Sequence, residues 1–279
     1  MSENNKTSFE IAASTLPAMP SFQPGSVWLV GAGPGDPGLL SLLAFHALGA
    51  ADDIVYDALV GEDILALAGE RAEMHYAGKR GGKPSAKQGD ISDKLIDLAS
   101  AGRKVLRLKG GDPFIFGRGS EEALALAAAG VPFRLVPGIT AAVAGLAYAG
   151  IPITDRRVNS AVTFITGHES GGGPPAGLDW TALASGAPVL ILYMALKHLA
   201  WMAERLVAAG RAADRVGRAV LAREVRPLLL DDVAAVVEVK GGGAQHDLTR
   251  GGLCQVERIG DLRQQELARG AHDAGEFLL

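Results

Sequence analysis

Apolar residues come in two rhythms that take turns along the chain. Residues 26–30, SVWLV, form a short continuous apolar run that predicts a buried strand, and GAGPGD at 31–36 ends it. Leu39, Leu42, Leu43 and Ala47 then recur at helical spacing, predicting a helix over 39–50. The alternation continues with strands at 53–56, closed by Asp57, and at 73–77, with a short helix between them at 62–67. A helix over 91–101 rests on Ile91, Leu95 and Leu98, and a strand at 104–108 follows it. Then come a helix at 121–129 ended by Gly130, a strand at 133–136 and a helix of small residues at 140–149. Polar, glycine-rich loops fill 78–89 and 110–119.

Strands alternating with helices through short loops predict an α/β fold, a mostly parallel sheet covered by helices on both faces. Ligands bind such sheets beyond the carboxyl ends of the strands, where this chain carries its glycines. Residues 151–160, IPITDRRVNS, read as a linker, and a second strand–helix series follows at 161–166, 179–184, 188–194 and 196–209. The expected organisation is a mobile lead-in over 1–24, one α/β domain over 25–155 and a second over 156–279. Past about 215 the pattern weakens. Residues 232–239 fit a strand, but Arg215, Arg218, Arg223, Glu224 and Arg226 would interrupt an inner strand of a buried parallel sheet. The expectation there is a poorly ordered tail that leaves an edge of the second sheet uncovered.

Composition narrows the function classes. A length of 279 residues suits about two domains, and 48% apolar with 21% charged residues is ordinary globular usage that needs no staple. One cysteine, Cys254, excludes an intramolecular disulfide and a cysteine zinc cluster, and fits a reducing, cytoplasmic setting. Six histidines show no metal-ligand spacing, so no metal is expected. Residues 138–153, the longest nearly apolar stretch, are small and include Thr140 and Pro152, unlike a membrane span of about 20 strongly apolar residues. The first residues lack the apolar core of a signal peptide. A net charge of −4 argues against a general nucleic-acid coat.

Three segments carry candidate chemistry. GAGPGD departs from a dinucleotide fingerprint, because Asp36 stands where the third glycine belongs and Pro34 has no N–H for a phosphate. It reads either as a plain turn or as a loop that approaches a ligand closely without holding phosphate; a nicotinamide-dependent dehydrogenase is disfavoured. KGGDPFIFGRGSEE at 109–122 puts Asp112 at the carboxyl end of a strand, where it either binds a cationic or hydroxyl-bearing ligand or caps the turn before Pro113. GKRGGKPSAKQ at 78–88 holds Lys79, Arg80, Lys83 and Lys87 without an acid. It is either a solvated surface or a site for a small polyanion, which Arg118 and the Arg156–Arg157 pair could extend. Aromatic interleaving for single-stranded nucleic acid is missing from it.

Taken together, VWLVGAGPGDPGLL, IVYDALV, AGKRGG, VLRLKGGDPFIFGRG, VPGITAA, GIPIT, VTFITGH and YMAL resemble, in order and spacing, the tetrapyrrole methylase family of S-adenosylmethionine-dependent enzymes. AGKRGG with RLKGGDPFIFGRG resembles its uroporphyrinogen-III C-methyltransferase branch. The resemblance covers about residues 26–214. It implies two α/β domains with S-adenosylmethionine in the cleft between them, a homodimer, a tetrapyrrole substrate, and methylation at C2 and C7 of uroporphyrinogen III to give precorrin-2 for cobalamin or sirohaem. It places the methyl donor on Pro34, Gly110, Gly111, Asp112, Ile115, Thr140, Ala141 and Met194. Asp57 matches the proton acceptor and Lys79 the donor; Arg118, Glu121, Arg156 and Met194 match positions facing the tetrapyrrole. Ser120 and Asp155 depart from the family's glycine and histidine. Arg223 falls at the last cofactor position, inside the atypical tail. Two alternatives stay open: a tetrapyrrole methylase for another ring position, and a non-catalytic binder with a defective C-terminal part.

Overall fold

A computed structural model of the chain describes residues 18–78, 88–156, 159–169 and 172–212, and the backbone of two further strands at 219–221 and 233–236. Strands β1 (Ser26–Gly31), β2 (Asp53–Tyr56), β3 (Glu73–Tyr76), β4 (Lys104–Lys109) and β5 (Phe133–Val136) form a parallel sheet in the order β3-β2-β4-β1-β5. Successive strand residues point to opposite faces. Trp28, Val30, Ile54, Leu106 and Leu108 therefore meet α1 (Leu42–Ala50) and α2 (Glu62–Leu65) on one face. Val27, Leu29, Val55 and Val105 meet α3 (Gln88–Ser100) and α4 (Gly119–Ala128) on the other. α1 follows β1 onto the first face, α4 follows β4 onto the second, and β1 and β4 are neighbours. Their loops diverge, and a crevice opens at the carboxyl ends of the two strands.

α5 (Ala141–Tyr148) links this sheet to the next. It follows β5, yet Ala141, Ala142 and Leu146 pack on Val189, Ile191 and Tyr193 of the second sheet. That sheet runs β6-β7-β9-β8. β6 (Thr163–Thr166) and β7 (Leu190–Tyr193) are parallel; β9 (Val233–Val236) pairs antiparallel with β7, and β8 (Ala219–Leu221) antiparallel with β9. α6 (Trp180–Gly186) and α7 (Leu199–Ala208) cover its other face through Leu183, Leu199, Met202 and Leu206. Among the described residues, no helix is long and apolar enough to cross a membrane.

Three expectations change. The helix begun at 39 starts instead at Leu42, because Ser41 accepts a hydrogen bond from the Ala44 N–H and caps it, after a separate 3-10 turn at Pro37–Leu39. The lead-in expected to be mobile through residue 24 is docked over its last residues. Phe22 is buried and stacks on Trp28 at 4.7 Å, Pro20 O lies 3.2 Å from His46 Nε2, and Ser26 Oγ donates to Gln23 O. The edge of β7 expected to lie uncovered is paired with β9. None of the five charges that argued against an inner strand falls within β8 or β9, whose residues are Ala, Val and Leu. Residues 237–279, and Arg215, Arg218, Arg223, Glu224 and Arg226, lie outside the described residues.

At the amino end of the sheet the Asp53 side chain, 1% exposed, accepts hydrogen bonds from Arg103 Nε at 2.5 Å and His75 Nε2 at 2.7 Å. Arg103 also reaches Glu73 at 3.4 Å, so a guanidinium stands among three side chains that could otherwise converge on a metal. Burial alone would raise the Asp53 carboxyl, but the hydrogen bonds and charges of Arg103 and His75 outweigh it and hold it below its ordinary range. A depressed carboxyl stabilises the fold above its unfolded pKa and ceases to as pH falls through its folded one. We expect Asp53→Asn to lose about 1.5–3 kcal/mol at pH 7. The gap from the parent should narrow below about pH 4, measured by urea unfolding across pH.

Candidate active site

The carboxyl ends of β1, β4 and β5 meet backbone to backbone. A Cβ built on Gly31 would stand 2.5 Å from Gly138 N and 2.6 Å from Gly111 O, and one on Gly138 would strike Gly111 O and Gly31. The loops are then cross-bonded: Gly33 N donates to Gly111 O at 3.1 Å and Gly111 N to Gly33 O at 2.7 Å. Gly111 takes the left-handed φ of 64° that this bridge needs. Asp112 completes the tie. Its Oδ1 accepts from Phe114 N at 2.8 Å and its Oδ2 from Gly138 N at 3.0 Å. The turn-capping role is thus what Asp112 performs, and it also staples the β4 loop to the β5 loop. Pro34 is buried in the turn after β1, and Asp36 caps the next turn through Gly38 N and accepts from Tyr148 OH at 2.6 Å.

Above this floor the second sheet contributes Tyr193 and Met194. Tyr193 OH lies 2.8 Å from Thr140 Oγ1 at the start of α5, and its ring meets Phe116 at 5.1 Å and Phe164 at 5.7 Å. Ile115 and Ala141 pack in the same cluster. Phe116, Arg118 and Met194 are the non-glycine residues with positive φ among those described, at 51°, 57° and 53°. Such conformations cost on the order of 1–3 kcal/mol each and collect at functional sites. Met194 is 38% exposed beside a 40%-exposed Phe116, so apolar surface faces the crevice.

Charge lies at the rim and beneath. Arg118 donates from Nε and Nη2 to the two oxygens of Glu121, at 2.8 and 2.7 Å. This exposed pair raises the Arg118 pKa and lowers that of Glu121. Asp57, one residue past β2, accepts from Leu59 N at 3.1 Å and lies 3.6 Å from Arg107. Arg107 and Lys109 are buried side chains of β4 that share Glu122 Oε1, at 3.0 and 3.3 Å. Burial, then the charge of Arg107, pushes the Lys109 amine below its ordinary range against the pull of Glu122 and Asp57.

The structure thus gathers Pro34, Gly110, Gly111, Asp112, Ile115, Thr140, Ala141 and Met194 about one crevice, with Asp57, Arg118 and Glu121 at its side. Arg156 is exposed in the turn after Asp155, and Lys79 and Arg223 lie outside the described residues. The sequence reading missed Arg107, Lys109, Glu122 and Tyr193. Arg107 and Lys109, flanking Leu108 in the strand KVLRLK, were the available signal, since a central strand buries charge only against a partner. The left-handed residues carry no sequence signal of their own.

The profile of the tetrapyrrole (corrin/porphyrin) methylases matches residues 26–225. The chain belongs to this family. A uroporphyrinogen-III C-methyltransferase of Sinorhizobium sp. is 62% identical over 196 residues, 70% of each chain. A siroheme synthase of Pseudomonas fluorescens (strain SBW25) is 50% identical over 195 residues, 70% of this chain and 42% of that one, so the chain spans about two fifths of such a relative. Among solved structures, the Thermus thermophilus uroporphyrin-III C-methyl transferase complexed with S-adenyl homocysteine is 41% identical, with a TM-score of 0.59 over 70% of this chain and 80% of that one. For this methylase, the glycine floor makes a direct test. We expect Gly138→Ala to lose at least about 1–3 kcal/mol by overpacking. Gly49→Ala, in the last turn of α1 with open space for its Cβ, should gain up to about 0.5–1 kcal/mol; paired urea unfolding curves check both.

Proposed function

We propose that this methylase moves methyl groups from S-adenosylmethionine to C2 and C7 of uroporphyrinogen III, giving precorrin-2 on a route to cobalamin or sirohaem. The observation that carries the reading is the 62% identity, over 70% of both chains, to a uroporphyrinogen-III C-methyltransferase. The proposal includes a division near residues 155–160 into two α/β domains that share the crevice, and a homodimer acting in the cytoplasm.

The crevice suits such a donor. Its floor is backbone without side chains, and Pro34 removes an N–H that a pyrophosphate would seek. When bound, S-adenosylmethionine supplies a sulfonium-activated methyl, so the chain's task is alignment, worth ~7–11 kcal/mol in favourable cases. Gly110, Gly111 and Asp112 form one wall, Pro34 the base, Thr140 and Ala141 a second wall with Ile115, and Met194 the side nearest the tetrapyrrole. Arg118, Glu121 and Arg156 would face the tetrapyrrole, whose carboxylates suit the arginines together with Lys79 and its cationic neighbours. A pyrrole ring that takes a methyl at a substituted carbon must lose a proton from another of its atoms, and Asp57 is the acceptor in this reading, with Lys79 the donor. A methylase for another ring position is disfavoured by AGKRGG, and a binder with an open second sheet by the pairing of β9 on β7.

Incubation with S-adenosylmethionine and uroporphyrinogen III should add two methyl groups by mass; one or none, with the donor bound, would sink the assignment. We expect Asp112→Ala to weaken S-adenosylmethionine binding roughly 10- to 150-fold, the worth of hydrogen bonds to a charged group, by calorimetry. Lys79→Ala should instead slow methyl transfer at saturating donor; loss of donor affinity with an unchanged rate would move the 78–88 loop to the other ligand.

A further inference from the structure

We propose that Arg107 and Glu122 are positioning residues for methyl transfer, a buried pair that aims the Asp57 carboxylate into the crevice. The inference rests on the reading of Asp57 as the proton acceptor. Arg107 is the register partner of Val55, so it shares a face of the sheet with Val55 and, two residues on, with Asp57. It is 2% exposed, and each guanidinium nitrogen has a partner. Nε donates to Glu122 Oε1 at 3.0 Å; Nη1 donates to the carbonyls of Val55 and Leu108 at 3.3 and 3.1 Å; Nη2 lies 3.6 Å from Asp57 Oδ2. A planar fork held through Nε and Nη1 presents its third nitrogen, Nη2, in one direction.

Glu122 fixes the opposite end of the pair. It is fully buried on α4 and also takes Lys109 Nζ at 3.3 Å. Of these four charged side chains, Asp57 alone is open to solvent, at 23% exposed. Among the described residues the charged groups that face it are Arg107 and Lys109 from β4, with Glu122 of α4 behind them; Leu59 N holds its other oxygen at 3.1 Å. The carboxylate is gripped from two sides, one a fixed backbone donor and the other a buried cation whose own orientation α4 sets.

The test separates aim from charge, and both from the identity of the acceptor. Arg107→Gln, Arg107→Lys, Glu122→Gln and Asp57→Asn are compared by S-adenosylmethionine calorimetry and by kcat and KM for the tetrapyrrole. Arg107→Gln should keep donor affinity and the parent's KM while lowering kcat roughly 10- to 100-fold. Arg107→Lys keeps a charge without the fork, so kcat should remain low; full recovery of kcat would leave charge without aim and overturn the proposal. Glu122→Gln should lower kcat with donor affinity intact. Donor-binding Arg107 and Glu122 variants with the parent's kcat, alongside an inactive Asp57→Asn, overturn this inference and leave Asp57 as acceptor. Asp57→Asn at the parent's rate overturns the acceptor reading itself. Variants of both residues that fail to bind the donor or to fold would make the pair structural, which also overturns it.

Discussion

Three loops touch where side chains would otherwise stand. Gly31, Gly111 and Gly138 bring the ends of β1, β4 and β5 within backbone contact, and the rest of the crevice is built on that contact. Neighbouring parallel strands lie about 4.7–4.9 Å apart, and the loops beyond them would splay if each carried a Cβ. Ordering glycine costs more backbone entropy than any other residue. The reciprocal Gly33–Gly111 bonds and the two backbone donors on Asp112 offset that cost, so the floor is rigid without being filled. A bare backbone floor at a strand crossover is a surface that a flat or extended ligand can lie against.

Rigidity below permits strain above. Phe116 and Arg118 are left-handed on either side of Gly117, and hypothetical Cβ atoms on Gly117 and Gly119 would both strike Pro113 O. The β4–α4 loop is thus folded tightly on itself, and it has few ways to relax. Met194 is held similarly, directly after a Tyr193 locked by Thr140 and two aromatic neighbours. Strained residues from both sheets therefore face one another across the crevice. α5 makes this possible, since it leaves the first sheet and packs on the second.

Most of this architecture was legible from the chain. The strands at 53–56 and 133–136 match the observed bounds, because short apolar runs between turn residues have few alternatives. Helix starts were less legible, since Ser41 and its cap decide where α1 begins rather than the periodicity of Leu39 and Leu42. The second sheet misled for a physical reason. Charges spread over 215–226 suggested an interrupted strand, but the strands that form, AVL and VAAV, are short apolar runs that avoid those charges and pair antiparallel. At the site, glycine motifs marked the floor correctly. Of the two readings of Asp112, the turn cap is the one its bonds display, and the same carboxylate also ties a neighbouring loop. What stayed invisible was long range: Arg107 meeting Glu122, and Tyr193 meeting Thr140, are products of the fold and of no local pattern.

β4 shows how one strand serves two ends. Its residues alternate Leu106 and Leu108 toward α1 with Val105, Arg107 and Lys109 toward α4, so one face closes the core and the other carries charge to the base of the crevice. Replacing a buried ion cluster by apolar residues of similar volume is often neutral or stabilising, by up to several kcal/mol. The two buried cations and Glu122 are therefore hard to explain by stability alone, in a strand whose other buried positions are Val and Leu. They also differ from the Asp53–Arg103 cluster at the amino end of the same sheet, where Arg103 is 38% exposed on its side chain and desolvation is correspondingly smaller. Charge buried at the carboxyl end, one side chain away from the crevice, is placed where an ionisable group has chemistry to do; charge at the amino end closes a sheet.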